Sequence, residues 1–322
     1  MCVTVICDSC VRKDKKMFLC GINLYFGGVL TVKKIALWIG CFFIAVPALG
    51  QDGGTVFDGP QKHGSVDTPE INEASGLVAS VVHRGWFWTH NDSGDGPRVF
   101  LIDDSARHRA TYYLQGVSAY DWEDMAMMER DGDPYLLIGD IGDNRGERPY
   151  VFLHVLKEPL AATPQGATDT LSREHIQSLV MRYEDGPRDA ESLFFDSRDK
   201  QLYVISKREL EVGIYATPLP ESDTSTLMLR KVGVLPHVFI TSAAISSDGT
   251  EVLIKNLLQV FYWRRKPHES IPEMFRRTAV EQPYHPEPQG EAIAFAADGS
   301  GYYTLGEAVL GLRPVFYFYR RF

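Results

Sequence analysis

The chain has 322 residues, with 33 Lys and Arg, 42 Asp and Glu, and a formal net charge of −9 at pH 7. Residues 1–50 hold six of the basic and two of the acidic residues, so residues 51–322 hold 27 against 40, a net of −13. That balance excludes a nucleic-acid binder, which needs a basic footprint, and favours cations as partners.

At the N-terminus, Lys33 and Lys34 precede an apolar run from Ile35 to Pro47, and Ala48-Leu49-Gly50 offers a small-x-small cleavage site before Gln51. This order predicts a secretory signal peptide and a secreted or periplasmic protein. The run is shorter than the ~20 apolar residues of a spanning helix. An uncleaved signal segment is the alternative, and the one route by which a membrane enters. The apolar stretch Met17 to Val32 keeps a two-segment anchor open. Residues 1–31 fit no targeting pattern, as an over-extended start would explain. All five cysteines (Cys2, Cys7, Cys10, Cys20, Cys41) precede Gln51. Residues 51–322 are therefore expected to form one disulfide-free domain, monomeric and stabilised by an ordinary core.

A short phrase recurs after that point. It reads Glu73-Ala-Ser75-Gly-Leu77, Asp121-Trp-Glu123-Asp-Met125, Asp189-Ala-Glu191-Ser-Leu193 and Gln289-Gly-Glu291-Ala-Ile293, with a degenerate copy, Thr241-Ser-Ala243-Ala-Ile245. Successive copies are 48, 68, 52 and 48 positions apart. The long interval contains the Pro-, Thr- and Ser-rich stretch Pro159 to Ser172, read as an inserted loop.

Each copy is followed by an apolar second strand (Trp86–His90, Tyr135–Gly139, Gln201–Ile205, Glu251–Lys255, Gly301–Leu305). A third comes next (Arg98–Ile102, Tyr150–His154, Gly213–Ala216, Val260–Trp263, Pro314–Phe318), and in four repeats a more polar fourth, such as Ala110–Leu114 and Ser178–Tyr183. Turn signals such as Asp248-Gly249 and Asp298-Gly299 separate strands. Four antiparallel strands per repeat of about 40–50 residues predict an all-β chain folded as a β-propeller. Five four-stranded blades are expected, six being the alternative. The last repeat stops after three strands, so an N-terminal strand around Thr55 to Asp58 is expected to close the ring.

First strands line a propeller channel, and residues two apart share a strand face. The copies then form one ring of Glu73, Asp121, Asp189, Thr241 and Gln289, and a second of Ser75, Glu123, Glu191, Ala243 and Glu291. Each like-charge pair at ~6 Å and an effective dielectric of ~20 costs roughly 3 kcal/mol. Protonation, basic neighbours or a bound cation must relieve it. Oxygen ligands without thiols favour calcium, held by Glu73, Asp121, Glu123, Asp189, Glu191 and Glu291. Plain strand-end capping and pairing with Arg or Lys is the alternative.

Second strands run antiparallel to first strands, so their ends reach the same mouth. These read His90-Asn91-Asp92-Ser93-Gly94, Asp140 to Arg145, Ser206-Lys207-Arg208, Lys255-Asn256 and Gly306-Glu307. Lys207, Arg208, Lys255, Asn256, Asn144 and Arg145 are candidate contacts to an anionic ligand. Glu123, Glu291 and His90 are the candidates for acid–base roles. His90 with Ser93 does not make a triad, and no Gly-x-Ser-x-Gly elbow occurs. Paired carboxylates also permit glycoside hydrolysis, which their separation would decide.

The combination of Glu73-Ala-Ser-Gly-Leu77, Thr89-His-Asn-Asp-Ser-Gly94, Asp121-Trp-Glu-Asp124, Gly139-Asp-Ile-Gly-Asp-Asn144, Asp189-Ala-Glu191 and Gly290-Glu-Ala-Ile-Ala-Phe295 resembles a group of secreted bacterial β-propeller proteins of mostly unassigned function. It covers roughly residues 70–320. More distantly, the chain is similar to phytase-like and gluconolactonase-like calcium propellers. That resemblance implies a metal at the channel mouth and a hydrolase of a small anionic ester, phosphate or lactone, by analogy alone. A non-catalytic propeller binding a ligand or protein partner there is the alternative.

Overall fold

The computed structural model describes residues 54–160, 166–220 and 226–322. The expected signal peptide lies outside them. β1 (Gln61–Ser65) is followed by β2 (Ala74–Ala79), β3 (Trp86–Asn91), β4 (Arg98–Asp103) and β5 (His108–Leu114). The second unit holds β6 (Trp122–Arg130), β7 (Asp133–Asp140), β8 (Val151–Lys157), β9 (Ala167–Leu171) and β10 (Ile176–Tyr183). The third holds β11 (Ala190–Asp196), β12 (Gln201–Ser206), β13 (Val212–Pro218) and β14 (Leu227–Leu235). The fourth holds β15 (Ile240–Ile245), β16 (Glu251–Asn256), β17 (Val260–Arg264), the short helix α1 (Ile271–Phe275) and β18 (Val280–Gln282). β19 (Ala292–Phe295), β20 (Gly301–Leu305) and β21 (Val315–Arg320) end the chain.

The sheets follow the orders β2-β3-β4-β5, β6-β7-β8-β10, β11-β12-β13-β14, β15-β16-β17-β18 and β19-β20-β21-β1. Neighbours within each order are antiparallel. The inner strands pack in cyclic order, β2 on β6, β6 on β11, β11 on β15, β15 on β19 and β19 on β2. The chain is a β-propeller.

Side-chain alternation explains why the strands read as unbroken apolar runs. Along β12, Leu202 and Val204 pack toward the second unit, whereas Tyr203 and Ile205 pack toward the fourth. Along β3, Phe87 faces the last unit and Trp88 the second. A strand buried on both faces has no polar face. One hydrophobic cluster fills each junction between successive units.

Two expectations shift. The closing strand is Gln61–Ser65 rather than Thr55 to Asp58, and Phe57 makes an isolated bridge to Arg321. Phe57 is anchored by its ring, so the strand proper begins a few residues later. The stretch Pro159 to Ser172 is more than a loop, because it contains β9, which adds to the first sheet parallel to β5. β10 likewise pairs with β14 in parallel, joining the second and third sheets at their outer edges. Both additions cover outer edges that would otherwise expose unpaired backbone groups.

Candidate site at the channel mouth

The recurring phrases open the inner strands, and four of them carry a β-bulge there. The pairing skips between Ser75 and Leu77, Trp122 and Asp124, Ala190 and Ser192, and Ile240 and Ser242. A bulge re-aims side chains relative to the simple two-residue period. It also corrects the ring alignment. Thr241, not Ala243, occupies the position of Glu123 and Glu191, while Ser75 bridges to Glu291 in the last unit. Thr241 behaves like Ser75: Ser75 Oγ donates to the Glu123 carbonyl at 2.5 Å, and Thr241 Oγ1 to the Gly290 carbonyl at 3.2 Å.

Carboxylates converge at this mouth in three overlapping triads. They are Asp92–Asp121–Glu123, Asp92–Glu291–Glu307 and Glu123–Asp189–Glu191, each with one oxygen per residue within 4.8 Å of the others. The third triad carries its own counter-charges. Lys207 pairs with Glu191, and Arg208 with Asp189 and with the Asn144 side chain. Asp92, Asp121, Glu123, Glu291 and Glu307 make no ion pair among the described residues. Glu123 is 2% exposed. Gly142 is required here, since a Cβ would collide with the Glu123 and Asp121 carboxylates. The first two triads could hold a hard cation through oxygen ligands.

Burial and mutual repulsion oppose ionisation. Burial, with the Asp92 charge added, pushes Asp121 up to about 6. Burial pushes Glu191 up to about 8 against the pull of Lys207. Burial and then Glu291 push Glu307 to about 8. Glu123 stands well above the usual range, through burial and then Glu191. Raised carboxyls make the folded state bind more protons than the unfolded chain, so stability falls as pH rises through the window between the two pKa values. Below pH 6.5 the buried His90 and His154, both lowered to about 4, act in the opposite sense. Between pH 6.5 and 8 the carboxyls dominate. Chelator-treated protein is therefore expected to melt at lower temperature as pH rises from 6.5 to 8. Glu307→Gln should flatten that slope, and an unchanged slope would contradict the assignment.

Several predicted residues lie elsewhere. Glu73 and Gln289 are exposed, and Glu73 joins none of the triads. His90 is fully buried beside Gly76 and edge-on to Trp122, with burial holding it neutral, and it joins none of the triads. Lys255 is also buried, bonded to the Gly290 carbonyl and to Thr241 Oγ1, and burial lowers it to about 8. The charges of Glu287 and Glu291 oppose that lowering. Asn256 caps its own turn, accepting from the Leu258 and Gln259 amides. Arg145 is exposed on the loop after β7. Lys207 and Arg208 do line the mouth, but as partners of Glu191 and Asp189.

Three further carboxylates at or near the mouth were not among the predicted site residues. Asp92 and Glu307 follow second strands; the antiparallel rule brought those ends to the mouth without singling out these two. Asp124 lies next to Glu123 on β6. Its carboxylate accepts from the Met125, Leu193 and Ala243 amides at 2.9, 3.0 and 3.2 Å and from Ser242 Oγ at 3.2 Å. It thus ties β6 to β11 and β15 below the mouth. Burial raises it well above its ordinary range, while all four donors favour its charged form.

No protein-family model matches the chain, and no curated relative matches it. Among solved structures, the chain is similar to the RRP9 WD40 repeats, at 12% identity and a TM-score of 0.39, over 76% of this chain and 79% of that one. It is similar also to the Myceliophteria_thermophila Cps50 (Swd1) beta-propeller domain, at 11% identity and a TM-score of 0.40, over 80% of this chain and 99% of that one.

Proposed function

We propose that the channel mouth binds a hard divalent cation, calcium in the first instance, and uses it to hold a small anionic ester, phosphate or lactone for hydrolysis. The observation that carries this reading is the set of five carboxylates that make no ion pair among the described residues, Asp92, Asp121, Glu123, Glu291 and Glu307, in two triads that share Asp92. A cation would relieve their repulsion and leave Glu123 or Glu291 to serve as acid or base. Lys207 and Arg208 would stand beside the bound anion. His90 joins none of the triads, which favours a second reading, in which the same site binds a ligand or protein partner without turnover.

A cation at a hundredfold excess over its Kd stabilises by about 2.7 kcal/mol. That corresponds to a rise in Tm of roughly 5–10 °C for a domain of this size. Calcium is expected to raise the melting temperature by this amount, EDTA to reverse it, and Glu123→Gln with Glu291→Gln to abolish it. A melting curve indifferent to calcium and EDTA would sink the cation reading. Hydrolysis of chromogenic phosphate, acetyl ester and lactone substrates should disappear in the same double variant. Calcium binding without any such turnover would leave the binding reading.

A further inference from the structure

The channel changes character along its length. Past Asp124, the inner strands continue as Leu77, Met125, Leu193, Ala243 and Ala294, all buried, and then as half-buried apolar residues such as Val78, Met127, Ala244 and Ile245. These residues line a cavity of about 350 Å³ at the far end of the strands from the acidic mouth. Every inner strand contributes to its wall. Asp124, spent on four donors, lies between the cavity and the carboxylate triads.

We propose that this cavity is a second ligand site, which takes a small uncharged apolar molecule. Its volume falls in the range of small-molecule sites, which are concave and mostly apolar with a few polar groups. Hydrocarbon and thioether walls offer dispersion contacts, and methionines adapt to irregular ligands. The charge of the lining selects the ligand further. Among the described residues no Lys, Arg or His lines the cavity, and Glu129 is the one ionisable residue, with Ser197, Ser246 and Ser247 as further polar groups. A carboxylate or sulfonate head would meet no counter-charge there and would face Glu129. An uncharged molecule meets neither cost. This site does not depend on the cation reading, because none of its lining residues belongs to the triads.

Two fluorescent probes that differ only by an anionic group test the proposal. N-phenyl-1-naphthylamine is neutral, and 8-anilinonaphthalene-1-sulfonate carries a sulfonate. The full chain should bind the neutral probe saturably, one per chain, and the sulfonate at least tenfold more weakly, with no change on adding calcium or EDTA. Ala244→Phe, which fills the cavity, should weaken the neutral probe at least tenfold. Met127→Lys should do the same by placing a charge in the wall, and it serves if the bulkier variant does not fold. Each variant is first checked for a cooperative melt. Absence of saturable binding by the parent chain overturns the site, as does unchanged affinity in a folded variant. Equal binding of the two probes overturns the ligand class.

Discussion

Asp124→Ala is expected to destabilise the propeller by about 3 kcal/mol or more, the largest effect of any single change at the channel. The variant strips the acceptor from the Leu193 and Ala243 amides and from Ser242 Oγ, all on strands other than its own. An unsatisfied buried donor costs about 1–3 kcal/mol. Removing the buried charge recovers some desolvation energy, and water entering the space recovers some bonding, so the sum of three such costs is an upper limit. Asp124→Asn separates hydrogen bonding from packing. It keeps the shape but turns an acceptor into a donor facing another donor. Both variants should melt well below the parent in urea or on heating. An Asn variant as stable as the parent would show that Asp124 merely fills space.

Phe57→Ala is expected to cost about 3–5 kcal/mol, the range for emptying a buried aromatic site. Phe57 is fully buried, with its ring edge-on to Tyr302 at 4.9 Å and to Tyr262 at 5.8 Å. Arg321 lies over it at 4.8 Å. The residue binds the N-terminal segment to the junction of the last two units, next to the pairing of β1 with β21. A ring closed by its two chain ends has no covalent seam there, so side-chain packing must hold it. The melting temperature should fall by on the order of 10 °C. Denaturant unfolding with a smaller m-value would further indicate a partly opened ring. A loss below 1 kcal/mol would mean that β1 alone holds the closure.

Much of the fold was legible because it is periodic. The acidic phrase recurs where each inner strand begins, and the second and third strands fall within a few residues of their expected bounds. Closure by the N-terminus was foreseen from a missing strand, but its register was not. Register there depends on where Phe57 finds a pocket among Tyr262 and Tyr302, which come from two other units. The degenerate fourth copy shifts by two positions between sequence and structure, because its Ala-Ala-Ile resembles the other phrases while its bulge lies at Thr241.

The candidate site was legible only in outline. Asp121, Glu123, Asp189, Glu191 and Glu291 do come together, as their shared place in the repeat implies. Glu73 lies one residue further from its bulge at Gly76 than Asp121 and Asp189 do from theirs, and it does not join them. Asp92 and Glu307 join from loops whose positions follow from strand ends rather than from any repeat of their own.

The sequence by itself determined that this chain repeats a four-stranded unit, that its second strands are apolar, and that carboxylates gather where the inner strands start. Alternation, spacing and charge are local properties, and a strand expresses them wherever it is placed. Only the tertiary structure decided which carboxylates come together, that Lys207 and Arg208 pair with Glu191 and Asp189 of one triad, that His90 joins none of the triads, and that Asp124 lies between an acidic end of the channel and an apolar one. Those outcomes depend on bulges and on contacts between units far apart in the chain. A one-residue bulge re-aims a side chain, and no local periodicity records where that aim ends.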